Sequence, residues 1–124
     1  MKTKIILLMI IIFLCSCESR KVDKSFETDF NYAIRTIINH EKNKGTTYDV
    51  WISRFYFATS YLEELTGIPG NYTTIEHIPY YNTNYDLSLD IKSWKRWYNK
   101  NKYNVTKEHS DSIKSWASSS YLMR

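Results

Sequence analysis

Residues 25–44 read SFETDFNYAIRTIINHEKNK. Phe26, Phe30, Ala33, Ile34, Ile37 and Ile38 recur at the three- and four-residue spacing that stacks side chains on one helical face. This predicts a helix over Ser25–Lys44. Ser25 is expected to cap its N-terminus. Glu27 and Asp29 suit the first turns, and Lys42 and Lys44 suit the end before Gly45. Thr47–Thr66 follows the same logic, with Trp51, Phe55, Ala58, Leu62 and Leu65 on one face and Gly67 placed to end the helix. The short connection between the two predicts an antiparallel helical hairpin.

The rest of the chain is less regular. Ile68–Leu87 holds both prolines, Gly70 and four tyrosines, and is expected as a long loop lying on the hairpin through its Tyr and Ile side chains. A loop of that length is uncommon in a compact domain, so a strand or helical turn can be hidden in it. Ser88–Lys100 is expected as a third helix, with Ile91, Trp94, Trp97 and Tyr98 on one face. The C-terminal stretch fits two readings. Ile113, Trp116 and Leu122 have helical spacing, while Tyr103–Thr106 and Ser112–Lys114 could pair as a hairpin. The balance favours helix. The fold class is therefore mainly α: one small helical domain over residues 25–124.

The 124 residues are 43% hydrophobic and 24% charged, an ordinary globular balance. Three glycines cannot supply the turns of a barrel or a phosphate-cradling loop. The formal charge is +4, but Lys2 and Lys4 belong to an N-terminal leader, so the remaining chain is close to neutral. Nucleic acid is not an expected partner.

That leader begins with Lys2 and Lys4, followed by ten apolar residues, Ile5–Leu14. The run has the length of a signal-peptide core and falls short of the roughly 20 residues a spanning helix needs. It ends in Leu14-Cys15-Ser16-Cys17. This resembles the lipobox of bacterial lipoproteins. Cys17 sets the register, since Leu14 stands three before it and small Ser16 immediately before it. Cys15 would place bulky Leu14 at the cleavage position. The alternatives are an ordinary secretory leader cut elsewhere and an N-terminal anchor helix. The resemblance implies that residues 1–16 are removed. It also implies diacylglycerol on the Cys17 sulfur and an acyl chain on its new amine. Residues 17–24 would be a tether, and the membrane a partner through the lipid. No free thiol would then remain, and no other cofactor is expected. Glu18 follows Cys17 where an Asp would signal inner-membrane retention, which favours the periplasmic face of the outer membrane.

A second resemblance rests on Leu65-Thr66-Gly67, a loop, and then Asp90-Ile91-Lys92-Ser93-Trp94-Lys95-Arg96-Trp97. It is similar to helical modules distantly related to HEAT-type repeats. This implies a helical hairpin with an aromatic helix laid across it. One helix pair is too few to stack into an array.

Residues that could carry chemistry are scattered. His40-Glu41 opens like a zinc-protease motif but lacks the second histidine, so His40 is expected at the surface near a helix end. His77 beside Glu76 has no third ligand placed by spacing, and His109 sits in a polar run. Glu63 and Glu64 point about 100° apart on a helix and form no acid–base pair. Trp94, Trp97 and Tyr98 are expected in the core. Tyr72, Tyr80, Tyr81 and Tyr85 are the binding candidates, because loop tyrosines can stack on sugars or anchor a protein. The opposing reading has them covering the helices. Lys92, Lys95, Arg96, Lys100 and Lys102 form a basic face. The expectation is a lipid-anchored, non-enzymatic module with a protein partner in the cell envelope. A glycan or peptidoglycan binder, or an inhibitor or enzyme of unrecognised type, is the alternative.

Overall fold

The computed structural model describes residues 20–43 and 48–121. Among them are four helices and one small antiparallel hairpin: α1 (Lys24–Lys42), α2 (Tyr48–Thr66), β1 (Thr73–Ile75), β2 (Ile78–Tyr80), α3 (Asn84–Asn101) and α4 (Lys107–Tyr121). The chain is mainly helical, as the periodicity predicts. The leader with Cys17, the start of the tether, Lys44–Thr47, the Trp51 side chain and Leu122 lie outside the described residues.

α1 forms because its apolar spacing gives it a face that can be buried. Phe26, Phe30, Ala33 and Ile37 are at most 1% exposed. Fully burying a phenylalanine contributes roughly 2–3 kcal/mol. The N-cap is Asp23, not Ser25: its Oδ1 accepts the Phe26 N–H at 2.9 Å. Val22 packs against the core, so the last residues expected in the tether belong to the domain. α2 is the central helix and touches α1, α3, α4 and β2. His40 near the end of α1 meets Phe55 in the first half of α2, ring centroids 4.4 Å apart, as an antiparallel hairpin requires. α2 ends as the sequence predicts. Gly67 adopts φ +69°, the left-handed conformation that favours glycine, and its N–H donates to the Glu63 carbonyl at 2.8 Å.

Residues 68–87 are not one irregular loop. The hairpin pairs Thr73 with Tyr80, Thr74 with Pro79 and Ile75 with Ile78. Glu76 and His77 form its turn with φ of 49° and 67°. Two consecutive positive φ values mark a type I′ turn, whose twist matches that of paired strands. α3 then starts at Asn84, four residues earlier than expected. Thr83 is its N-cap: Oγ1 accepts the Asp86 N–H at 3.1 Å and donates to Asp86 Oδ2 at 2.9 Å. This reciprocal cap satisfies a helix-end donor inside a stretch that reads as loop.

The C-terminal ambiguity resolves to helix. Thr106 Oγ1 accepts the His109 N–H at 3.1 Å and starts α4. Its buried face is Ser110, Ile113, Ala117 and Ser120. Trp116 lies one residue off that face and is 46% exposed. Of the expected aromatic core of α3, Trp94 is fully buried and its Nε1–H donates to the Ile68 carbonyl at 3.1 Å. Trp97 and Tyr98 are half-buried.

Candidate functional site

Two features stand out: a closed polar cluster beneath the hairpin and an open groove between α1 and α3.

The closed cluster centres on Asp90, which is 1% exposed. Its Oδ2 accepts the Asn71 N–H and the Tyr81 hydroxyl, both at 2.7 Å, and its Oδ1 accepts Asn71 Nδ2 at 2.5 Å. Buried acceptors are costly unless satisfied, and here both oxygens are. The loop is drawn tightly against α3 at this point. A Cβ on Gly70 would meet the Tyr72 ring at 2.9 Å and Asp90 Oδ2 at 3.1 Å, so the close approach requires glycine. Tyr72 donates to Glu63 Oε1 at 2.8 Å, and the Tyr81 N–H donates to Glu41 Oε1 at 3.1 Å. Burial, then the hydrogen bond to Asp90 and that residue's charge, push the Tyr81 phenol far above its usual range.

His40 belongs to the same region, and the surface position expected for it is overturned. It is 7% exposed, with Nε2 at 3.1 Å from the Pro79 carbonyl. That contact makes Nε2 the donor and leaves Nδ1 as an acceptor. Nδ1 is buried without a hydrogen-bond partner. The signal was present in the sequence: Phe26, Phe30, Ala33, Ile37 and His40 continue one 4-3-4-3 pattern. His77 and Glu76 occupy the exposed hairpin turn, and His109 is exposed in the first turn of α4. The structure does not bring the three histidines together. No group of three potential metal-ligating side chains occurs among the described residues.

The four candidate tyrosines separate. Tyr81 is 3% exposed and Tyr72 is half-buried, both in the cluster around Asp90. Tyr80 is half-buried on β2. Tyr85 is 69% exposed on the first turn of α3.

Tyr85 leads into the groove. α1 and α3 run antiparallel, held together where Tyr98 stacks on Phe30 with ring centroids 4.4 Å apart. Beyond that contact they leave a trough. Its floor is apolar, formed by Ile34 and Ile38 of α1 with Leu87 and Ile91 of α3. Its rim is basic. Arg35 stands on the α1 side, and Lys92 and Lys95 stand on the α3 side; Arg96 and Lys100 line a basic patch of α3 residues beside the trough. Glu27 is the acidic residue lining it. The stretch along α1 has a cavity volume of about 440 Å³, and the stretch beside Leu87 about 300 Å³. Each has room for a few side chains. Both ion pairs seen among the described residues, Lys107–Asp111 and Lys114–Asp29, lie elsewhere, so none neutralises the rim. Tyr85 and Lys92 are seven residues apart, about 20° around the helix, so the exposed ring continues the basic side of the groove. The sequence showed the basic face but not the trough, because Ile34 and Ile38 are 49 or more residues from Leu87 in the chain.

Comparisons with known protein families, curated proteins and solved structures give no match.

Proposed function

We propose that this chain is a bacterial lipoprotein whose domain, held at the membrane through Cys17, is a non-enzymatic protein-interaction module of the cell envelope. The leader pattern ending at Cys17 supports the anchor. Two or three acyl chains hold a protein stably, since each buried methylene contributes about 0.8 kcal/mol. The outer membrane, periplasmic face, is the preferred location.

The observation that carries the interaction is the α1–α3 groove. Ile34, Ile38, Leu87 and Ile91 line a trough bordered by Arg and Lys side chains. Tyr and Arg are the residue types that most often dominate binding energy at protein interfaces. By contrast, the buried carboxyl group of Asp90 has both oxygens engaged in holding the loop. A glycan-binding reading needs exposed coplanar rings. Two of the four candidate tyrosines turn inward, and the groove floor is aliphatic.

Two measurements test the two halves. Cys17→Ala should abolish lipidation and leave the precursor unprocessed; the same mature mass in the membrane fraction would sink the anchor. The native protein, extracted from membranes in mild detergent, should migrate as a stoichiometric complex with one other protein. Migration at its own mass under gentle extraction would remove the interaction reading.

A further inference from the structure

We infer that the segment bound in the α1–α3 groove is an acidic amphipathic helix of the partner protein. This rests on the interaction reading above and adds the surface and the chemistry of what fills it.

Shape comes first. The lined part of α1, Glu27 to Ile38, spans about 17 Å at 1.5 Å per residue. A partner helix of about twelve residues, three turns or so, covers that length. Two antiparallel helices with an apolar trough between them present the ridges and grooves that a third helix packs into. A helix laid there would place side chains at i, i+3, i+4 and i+7 onto Ile34, Ile38, Leu87 and Ile91. A flat bilayer surface cannot follow a floor recessed between two helices. Sugar rings need aromatic faces that this aliphatic floor lacks.

Charge then fixes the chemistry. The rim carries Arg35, Lys92 and Lys95 against Glu27, and Arg96 and Lys100 extend the basic surface along α3 beside it. No ion pair within the described residues engages those cations. Their complement is a run of Asp and Glu on the flanks of the bound helix. The asymmetry sets orientation as well. Two of the three rim cations stand on α3, with Arg96 and Lys100 beside them, so the more acidic flank of the partner faces α3. The partner residue nearest Glu27 is neutral or basic. Tyr85, 69% exposed at the Leu87 end, serves as an aromatic anchor there.

Photo-cross-linking of the full-length protein in its native host tests this. A benzoylphenylalanine replaces Ser88 or Asn31 in the groove, and Tyr32 or Trp116 on other faces as controls. The expected result is an adduct from the two groove positions with one protein. The adduct should run through a segment with apolar residues at helical spacing and Asp or Glu on its flanks. Reversing three rim charges together (Arg35→Glu, Lys92→Glu and Lys95→Glu) should lower that adduct at least about tenfold, since like charges then face one another across the interface. The variant's helical circular dichroism and membrane level should be unchanged. A neutral variant (the same three residues to Gln) should fall between it and the native protein. Adducts with lipid, with a segment lacking acidic residues, or with yields indifferent to charge reversal would overturn the inference. Protein adducts only from positions 32 or 116 would overturn it while leaving the interaction reading intact. No protein adduct from any of the four positions would remove both.

Discussion

Asp90 and its three hydrogen bonds decide how the segment after α2 is held. The carboxyl group, itself buried, ties the Asn71 backbone, the Asn71 side chain and the Tyr81 hydroxyl to α3. Asp90→Ala would leave the buried Tyr81 hydroxyl unsatisfied and release the exposed Asn71, and should cost about 2–4 kcal/mol in urea unfolding. Tyr81→Phe removes one donor while Asn71 still serves the carboxyl group, and should cost about 1–2 kcal/mol. Equal losses in the two variants would show that the cluster is not organised around Asp90. Alkaline pH probes the same scale. Burial, opposed by the hydrogen bond to Ser110, pushes the Tyr61 phenol up to about 12, and Tyr81 is raised as well. The folded state therefore keeps protons that the unfolded chain releases near pH 10. These phenols contribute stability that is fully present below pH 10 and is lost as pH rises from 10 towards 12. Urea midpoints should be flat from pH 8 to 9.5 and then fall. The tyrosinate absorbance of Tyr61 and Tyr81 should appear only as the domain unfolds. A midpoint unchanged up to pH 12 would contradict the buried phenols.

At the scale of elements, the hairpin is the part least explained by its own sequence. Glu76 and His77 hold positive φ without being glycine or asparagine, which is unfavourable for residues with a Cβ. Contacts from elsewhere compensate. The Tyr56 hydroxyl donates to the His77 carbonyl at 3.0 Å, and His40 meets the Pro79 carbonyl. Glu76→Asn with His77→Gly supplies the residues a type I′ turn favours and should stabilise the domain by about 1 kcal/mol. Destabilisation by the pair would mean that the two side chains do something at the tip beyond making the turn. The helices, by contrast, were legible because local spacing governs them. Phe26 to Ile37 declare a face, and Gly67 declares an end. The early start of α3 was legible in principle from Thr83 and Asp86 at capping-box spacing, but the surrounding Asn and Tyr residues read as loop. The Asp90–Asn71 contact joins residues 19 apart with no periodic pattern to reveal it. Trp116 illustrates the reverse error. A large aromatic drew the helical face towards itself, while the buried face is marked by the small residues Ser110, Ala117 and Ser120.

At the scale of the whole molecule, the helices among the described residues enclose a core and leave a trough open between α1 and α3. α2 is surrounded, α4 packs against α1 and α2, and α3 meets α1 closely through Tyr98. The α1–α3 groove is where a further element would complete the packing. The basic rim was visible in the sequence as a run of cations, which read equally well as a solvated helix face. Only the placement of Ile34 and Ile38 opposite Leu87 and Ile91 turns that face into one wall of a binding trough. An amine-reactive cross-link map of the protein in its native envelope tests the groove most directly, because lysines border it and also mark the other faces. Cross-links to a single partner protein should concentrate on Lys92, Lys95 and Lys100, with few on Lys42, Lys107 and Lys114. Cross-links to other proteins spread evenly over all of these lysines, or absent from the three on α3, would contradict the groove as the working surface of this domain.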